Sequence, residues 1–269
     1  MRLGRGALVV GILVLALLPA TASSAPAQFG SERIHDYTVD VHIEPTGTVR
    51  VHETIDYDFG VVPKHGIFRD VPVRFDYPPK ANHDRVYPLD VISVQASEGT
   101  PAQYTIESGD HDGIGLKRIK IGDPDRTISG RHTYDISYTL RGVLNGFEDH
   151  DELFLNAIGP GWTVPIDRAT ITVDAPVDIA RVGCFSGPVQ SRLPCASAGS
   201  SGSAATFTQG TIPPDAAFTV VVAIPKGAVP PPKPILEERF SLGAAFSVTA
   251  ATAGIAGALL ALVVGAFLL

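Results

Sequence analysis

The sequence of 269 residues lacks the short motifs that mark the common classes of enzyme. It contains no G-x-S-x-G elbow, no H-E-x-x-H pair, no phosphate-binding P-loop and no glycine fingerprint of a dinucleotide site. The serine-rich run "GSSGS" at 199–203 has the wrong spacing for a nucleophile elbow and no strand-to-helix pattern around it. These absences give no positive ground for catalysis, and we expect a protein that works by binding or by its structure.

Basic residues are in deficit, since 21 Lys and Arg stand against 28 Asp and Glu, for a net charge of −7. Nucleic acids and anionic lipid surfaces both attract basic proteins. The balance therefore argues against nucleic acid as a partner and against docking on anionic lipid.

The N-terminus reads "MRLGRGALVVGILVLALLPATASSAPA", which has the three parts of a secretory signal peptide. Arg2 and Arg5 form the basic part, residues 7–18 form an apolar part too short to span a bilayer comfortably, and small residues follow. Cleavage fits after Ala22 or after Ala27. We predict a signal peptide over residues 1–27.

The other end of the chain carries no charged residue after Arg239, and we predict a transmembrane helix over residues 241–269. Small residues recur at four-residue spacing in this segment, which favours packing against another membrane helix. The preceding stretch 229–240 contains "VPPPKP" and is predicted to be a stiff juxtamembrane linker. With the signal peptide, this predicts a single-pass protein of the cell membrane whose residues 28–228 form an extracytoplasmic domain.

Cysteine is scarce, and both cysteines, Cys184 and Cys195, fall in the part predicted to be exported. A lone pair in an oxidising compartment has one connectivity, which predicts a disulfide across "CFSGPVQSRLPC". A metal pair is the weaker interpretation, because no histidine lies nearby in the sequence.

Residues 37–59 alternate strictly between apolar odd positions and polar even positions on both sides of "EPTG". This pattern predicts a β-hairpin with one buried face. If Glu44 opposes Thr48, then Asp40 faces His52 and His42 faces Arg50 on the wet face.

Further short strands are predicted over the rest of the domain, at 88–96, 102–107, 114–121, 131–140, 152–157, 168–174, 204–208 and 217–224. No stretch between 28 and 230 has convincing helical periodicity, and "SAGSSGSAA" at 197–205 is predicted to be a flexible surface loop. The fold class is therefore all-β, an antiparallel β-sandwich that is immunoglobulin-like or larger, followed by the membrane helix.

The stretch "VVPKHGIFRDVP" at 61–72 crowds Lys64, His65, Arg69 and Asp70 around a glycine. One interpretation is an exposed basic patch for a partner or an anionic ligand. The other is a structural turn, because Glu53 falls on the apolar face of the hairpin and needs a partner. Arg69 suits that carboxylate, so we predict Glu53 and Arg69 as a structural pair.

Two acidic runs and one tryptophan are weaker candidate sites. Asp110 and Asp112 lie in "GDHDG", and Asp149 and Asp151 lie in "NGFEDHDE", where carboxylates could bind calcium or act as solvated turns. Neither run has EF-hand spacing, so we expect no resident cofactor, with calcium as a weak alternative. Trp162, the only tryptophan, either stacks on a sugar or fills the core.

Several motifs in order resemble an uncharacterised bacterial family, domain of unknown function 2207, the YciQ-like predicted membrane proteins. They are "IHDYTVDVHIEPTGTVRVHETIDYDFG", "KHGIFRDVP", "YDISYTLRGVL" and "DELFLNAIGPGWTVPI". The resemblance implies a signal peptide, an extracytoplasmic β domain and membrane helices, and it implies no activity. The chain departs from the pattern with Leu155 where tryptophan is common.

The expected function is that of a membrane-anchored interaction or structural module of the cell envelope. Its expected partners are the membrane and either an envelope protein or another membrane helix. The alternative is a divalent-metal-dependent or carbohydrate-active enzyme that uses the acidic loops.

Overall fold

A computed structural model describes residues 32–111 and 113–239, and further on residues 253–255, 257–258, 260 and 265–266. The predicted signal peptide lies outside these residues. Most of the predicted transmembrane helix, including parts of its small-residue stripes, also lies outside them, although the described residues there are helical. Among the residues that the structure describes, no helix is long and apolar enough to cross a membrane.

The part of the chain between Glu32 and Arg239 is built of β-strands, as the alternation of the sequence predicts. The strands are β1 (Arg33–Ile43), β2 (Val49–Asp58), β3 (Gly66–Asp76), β4 (His83–Val86), β5 (Leu89–Ala96), β6 (Tyr104–His111), β7 (Ile114–Gly122), β8 (Arg131–Leu140), β9 (Leu144–Gly146), β10 (His150–Ile158), β11 (Ala169–Asp174), β12 (Arg181–Gly187), β13 (Ser197–Ser201), β14 (Ala204–Gln209), β15 (Ala217–Pro225) and β16 (Ile235–Glu238).

These strands form three sheets. The first has the order β13-β14-β11-β1-β2-β8-β5, the second β12-β15-β10-β9, and the third β16-β4-β3-β7-β6. Neighbouring strands are antiparallel, as predicted, except that β1 and β11 pair in parallel. A parallel pair needs a long crossover, and here the chain forms β2 to β10 before it returns beside β1.

The predicted hairpin of β1 and β2 is confirmed, including its register. Asp40 opposes His52, and His42 opposes Arg50. The turn closes through a hydrogen bond from the Glu44 N–H to the Thr48 carbonyl at 2.9 Å.

Strands β4, β9 and β12 were not predicted, and three further segments form strands where the sequence predicted a turn, a loop or a linker. Gly66–Asp76, which overlaps the stretch for which a structural turn was one interpretation, is strand β3, and its register shifts between Pro72 and Arg74. The segment 197–205, predicted to be a loop, forms β13 and the start of β14. Ile235–Glu238, which belongs to the predicted stiff juxtamembrane linker, pairs with β4.

All three sheets contribute to one hydrophobic core. Val39 of the first sheet, Leu153 of the second and Ile119 of the third are fully buried within the same cluster of contacts. The sheets therefore enclose a shared interior, and strand faces turned toward it leave their alternate residues on the surface.

Candidate functional site

Strand β3 divides the chemically rich stretch 61–72 between two faces. Ile67, Arg69 and Val71 point into the core, whereas Phe68 is exposed and Asp70 is half-buried on the opposite face. Residues that are neighbours in sequence are therefore separated by the pleat of the strand. The structure does not bring them together as one surface site.

The inward side chain of Arg69 meets the Glu53 carboxylate of β2. Arg69 Nε donates to Glu53 Oε2 at 2.6 Å, and Arg69 Nη2 donates to Glu53 Oε1 at 2.7 Å. The two side chains have 1% and 0% of their surface exposed. Two parallel N–H donors on one carboxylate give the strong bidentate geometry of a charge-assisted pair.

Two tyrosines complete this buried cluster. The Tyr37 hydroxyl donates to Glu53 Oε2 at 2.6 Å, and the Tyr138 hydroxyl donates to Glu53 Oε1 at 2.5 Å. Arg69 Nη2 also donates to the Ala157 carbonyl at 3.0 Å. The cluster thus joins β1, β2 and β8 of the first sheet to β3 of the third and β10 of the second.

The electrostatics of the cluster favour a charged pair flanked by neutral phenols. Burial raises the pKa of Tyr37 and Tyr138 well above the ordinary value for tyrosine, so both remain hydrogen-bond donors. Burial disfavours the charge on Arg69, but the groups around it, Glu53 first among them, together outweigh burial and raise the pKa of the guanidinium well above its usual value. The four side chains are at most 2% exposed, so the cluster lies between the sheets and is closed to solvent.

The outward side chains of the stretch have other partners. Arg118 of β7 donates to both oxygens of Asp70 at 2.7 Å, and this hydrogen bonding raises the pKa of Arg118. The guanidinium also lies 5.0 Å from the ring centre of Phe68. Lys64 pairs with Glu32 at 3.5 Å, and His65 Nδ1 lies 3.0 Å from a backbone carbonyl of the next turn.

Trp162 lies in the core. Only 6% of its surface is exposed, and its ring packs edge-on against Tyr37 at a centroid distance of 5.6 Å. A sugar cannot stack on a ring that is covered in this way.

The acidic runs do not converge. Asp151 is buried and accepts a hydrogen bond from Lys226 at 2.7 Å, while Asp149 contacts His150 at 2.6 Å. Asp110 caps the β6–β7 turn by accepting from the Gly113 N–H at 2.9 Å. Asp112 lies outside the described residues, and among those described no group of three His, Cys, Asp or Glu is arranged to hold a metal ion.

Cys184 and Cys195 are joined in a disulfide. Cys184 belongs to β12, and the chain folds back along that edge strand, with the Ser186 N–H donating to the Leu193 carbonyl at 3.0 Å. The bridge therefore fixes a short loop that covers the edge of the second sheet. We call residues 188–194 the cysteine loop.

A groove of about 310 Å³ opens between the second and third sheets, and the cysteine loop forms one of its sides. Its walls are mostly apolar and come from Phe75, Leu116, Phe154, Phe185 and Val189. Phe154 and Val189 remain 45% and 40% exposed, so two of these apolar walls are open to solvent.

Few polar groups line the groove. The Thr219 hydroxyl donates to Asn156 Oδ1 at 2.6 Å on its floor, and Asp70 lies at its rim, held by Arg118. Our sequence reasoning missed this site, because its walls are far apart in the chain. The available signal was Phe154, an aromatic residue on the polar side of an alternating strand.

The fold and the groove define a class: a mostly β domain with one disulfide, a sealed ionic cluster and an apolar groove. The chain belongs to the family described as "Predicted membrane protein (DUF2207) N-terminal domain", whose model matches residues 33–224. That description indicates an association with membranes and names no activity.

Comparison with other proteins adds little. No curated protein matches the chain. Leukotriene A4 hydrolase from Saccharomyces cerevisiae is similar at 10% identity over 71% of this chain and 29% of its own, with a TM-score of 0.39. The M1 zinc metallopeptidase from Deinococcus radiodurans is similar at 10% identity over 71% of this chain and 42% of its own, with a TM-score of 0.38. The chain thus spans less than half of either enzyme, and likenesses at this level support no statement about its activity.

Proposed function

We propose that this protein is a membrane-anchored interaction module of the cell envelope, displayed outside the cytoplasm as a β-sandwich. Membership of a family of predicted membrane proteins supports the anchoring, together with the uncharged segment after Arg239. The disulfide supports the extracytoplasmic location, because such bridges persist in oxidising compartments. The core shared by three sheets supports the sandwich.

The groove between the second and third sheets is the observation that supports a binding function. Binding sites are concave and mostly apolar with a few placed polar groups, and this groove has that composition. Its phenylalanines can take up the side chains of an extended apolar segment, and Asn156 and Thr219 can meet polar groups of that segment. The occupant we propose is such a segment of a neighbouring envelope protein.

Site-specific photo-crosslinking in intact cells tests this function. A benzophenone amino acid placed at position 154 should give a discrete protein adduct, because that side chain opens into the groove. Phe68 is the matched control, since it is 50% exposed on the third sheet and does not line the groove. The same amino acid at position 68 should give no such adduct.

A second variant tests whether the groove itself makes the contact. With the crosslinker at position 189, Phe154→Ala should reduce the adduct by about 10-fold or more, as expected when a buried aromatic anchor of an interface is removed. Equal adducts from positions 154 and 68, or an adduct with the mass of a lipid, would contradict the proposal.

A further inference from the structure

The segment 229–239, most of the predicted stiff juxtamembrane linker, is packed on the domain. Val229 is 5% exposed within the core cluster. The chain then passes Gly146, where an added Cβ would lie 3.4 Å from the Pro232 carbonyl, and Gly142, where it would lie 3.0 Å from the Ile235 side chain. These close approaches leave little room between residues 229–235 and the domain surface.

The segment ends as a strand of the third sheet. In β16, Ile235 opposes Val86 and Glu238 opposes His83, and the Arg239 N–H continues the pairing by donating to the Asn82 carbonyl at 2.8 Å. The backbone is therefore fixed up to Arg239.

Ion pairs secure the same edge. Arg239 Nε donates to Asp84 at 2.5 Å, and the other side of its guanidinium reaches Asp76. Arg74 contacts Asp84 at 3.2 Å and also pairs with Glu237. A single exposed pair contributes little, but these four carboxylate contacts share two arginines and form a network across β3, β4 and β16. We call this edge the clamp.

The clamp ends at the residue before the proposed membrane anchor. Phe240, the residue after Arg239, begins a run of uncharged residues that continues to Leu269. Because the chain is held on the sheet at Arg239 and a span takes about 20 of these residues, only about ten remain to separate the clamp from the bilayer. The end of the third sheet that carries the clamp is therefore kept near the membrane.

The loop between β3 and β4, residues 77–82, projects at that end. Pro78, Pro79 and Lys80 are exposed, and Tyr77 is half-buried beside them. Tyrosine and lysine both suit the layer of lipid headgroups, since each joins an apolar body to a polar tip.

We propose that the loop of residues 77–82 rests on the outer surface of the bilayer that holds the C-terminal segment of the same chain. The clamp fixes the domain in that pose. This inference rests on the membrane anchoring of the proposed function and adds to it a rigid mount and a defined contact surface.

The opposite end of β3 supplies a matched control. The strand runs from Gly66 to Asp76, and at about 3.3 Å per residue its ends lie about 33 Å apart. The turn containing Asp125 lies at the far end, where the Asp123 N–H donates to the His65 carbonyl at 3.1 Å. A probe at position 125 should stay clear of the membrane.

Fluorescence quenching on the full chain in phosphatidylcholine nanodiscs tests the pose. Lys80→Cys and Asp125→Cys each receive one fluorophore with the native disulfide intact, and the nanodiscs carry lipids spin-labelled at the headgroup. We expect quenching at position 80 to exceed that at position 125 by at least about five-fold. A Gly-Ser insertion between Arg239 and Phe240 should abolish the difference, because it frees the domain from the anchor.

The outcomes separate the two proposals. A chain that does not stay with the nanodiscs overturns the anchoring, and this inference falls with it. A chain held in the nanodisc but quenched equally at positions 80 and 125 overturns the mount alone. Unchanged quenching after the insertion shows that the loop binds lipid without the clamp, and it also overturns the mount.

Discussion

At the scale of single residues, the Glu53–Arg69 cluster shows which contacts a sequence pattern can predict and which it cannot. The period-two alternation of β2 places Glu53 on the buried face. Arg69 is among the nearest basic residues that follow in the sequence, so this pair could be predicted. The Tyr138 hydroxyl and the Ala157 carbonyl are 85 and 88 residues away from the groups they contact. Such partners could not be predicted, because they depend on which strands become neighbours in the folded sheets.

Removing one member of the cluster should leave the other as an unpaired buried charge. We expect Glu53→Ala and Arg69→Ala each to lower the free energy of unfolding by about 3–5 kcal/mol. The double variant should lose clearly less than the sum, since the two groups interact directly. Urea unfolding of the detergent-solubilised chain measures this through the fluorescence of Trp162, which packs on Tyr37 beside the cluster.

Asp56 provides the control for this cycle, because it lies on the outer face of the same strand and pairs with the exposed Arg131. Asp56→Ala should change the free energy of unfolding little.

If the single variants do not fold, Glu53→Leu combined with Arg69→Met should recover a folded chain, since apolar replacements of a buried pair are often tolerated. Small and additive losses at Glu53 and Arg69 would show that the pair does not hold the sheets together.

At the scale of elements, the β1–β2 hairpin was predictable and the edge strands β13 and β16 were not. The β1–β2 hairpin carries an uninterrupted alternation, so both its existence and its register follow from the sequence. Each residue of β13 is exposed, and β16 is mostly exposed, so neither carries an apolar face to detect. The groove was hidden for a related reason, because β3, β7, β10 and β12 meet there only after folding.

A glycine pair sets the contact between β3 and β7. Gly66 opposes Gly122, and a Cβ added to Gly66 would lie 1.9 Å from the Ile121 carbonyl oxygen. Its φ of +146° also lies in a region that other residues rarely adopt. We expect Gly66→Ala to be strongly destabilising, because backbone atoms of β7 would have to move.

Gly99→Ala separates the cost of a positive φ from the cost of a steric clash. Gly99 has a φ of +77° but no atom lies within 4 Å of an added Cβ. Gly99→Ala should lower the free energy of unfolding by about 1–2 kcal/mol through the backbone conformation alone. Gly66→Ala should lower the free energy of unfolding by about 1–3 kcal/mol more than Gly99→Ala does, because overpacking carries a cost of that size in other cores. The same urea unfolding measures both variants, and equal losses would rule out the steric contribution.

At the scale of the whole molecule, the groove extends to the end of the third sheet that carries the clamp. Phe75 lines the groove, and the next residue, Asp76, holds Arg239 in the clamp. In the proposed mount the groove therefore opens close above the bilayer, where the segments of other membrane-anchored proteins are concentrated. A rigid mount also lowers the entropic cost of binding, because the domain does not have to be oriented for each encounter.

The oxidation state of the two cysteines in cells tests on which side of the membrane the domain lies. If residues 32–239 lie outside the cytoplasm, Cys184 and Cys195 should be oxidised in cells, because the reducing cytoplasm keeps thiols free. Cells quenched in acid and denatured should then show no labelling of this chain by a thiol reagent. Reduction before labelling should add two labels per chain. A Ser201→Cys variant, exposed on the edge strand β13, serves as the control and should accept one label without reduction. Two labels on the native chain before reduction would place the domain in the cytoplasm.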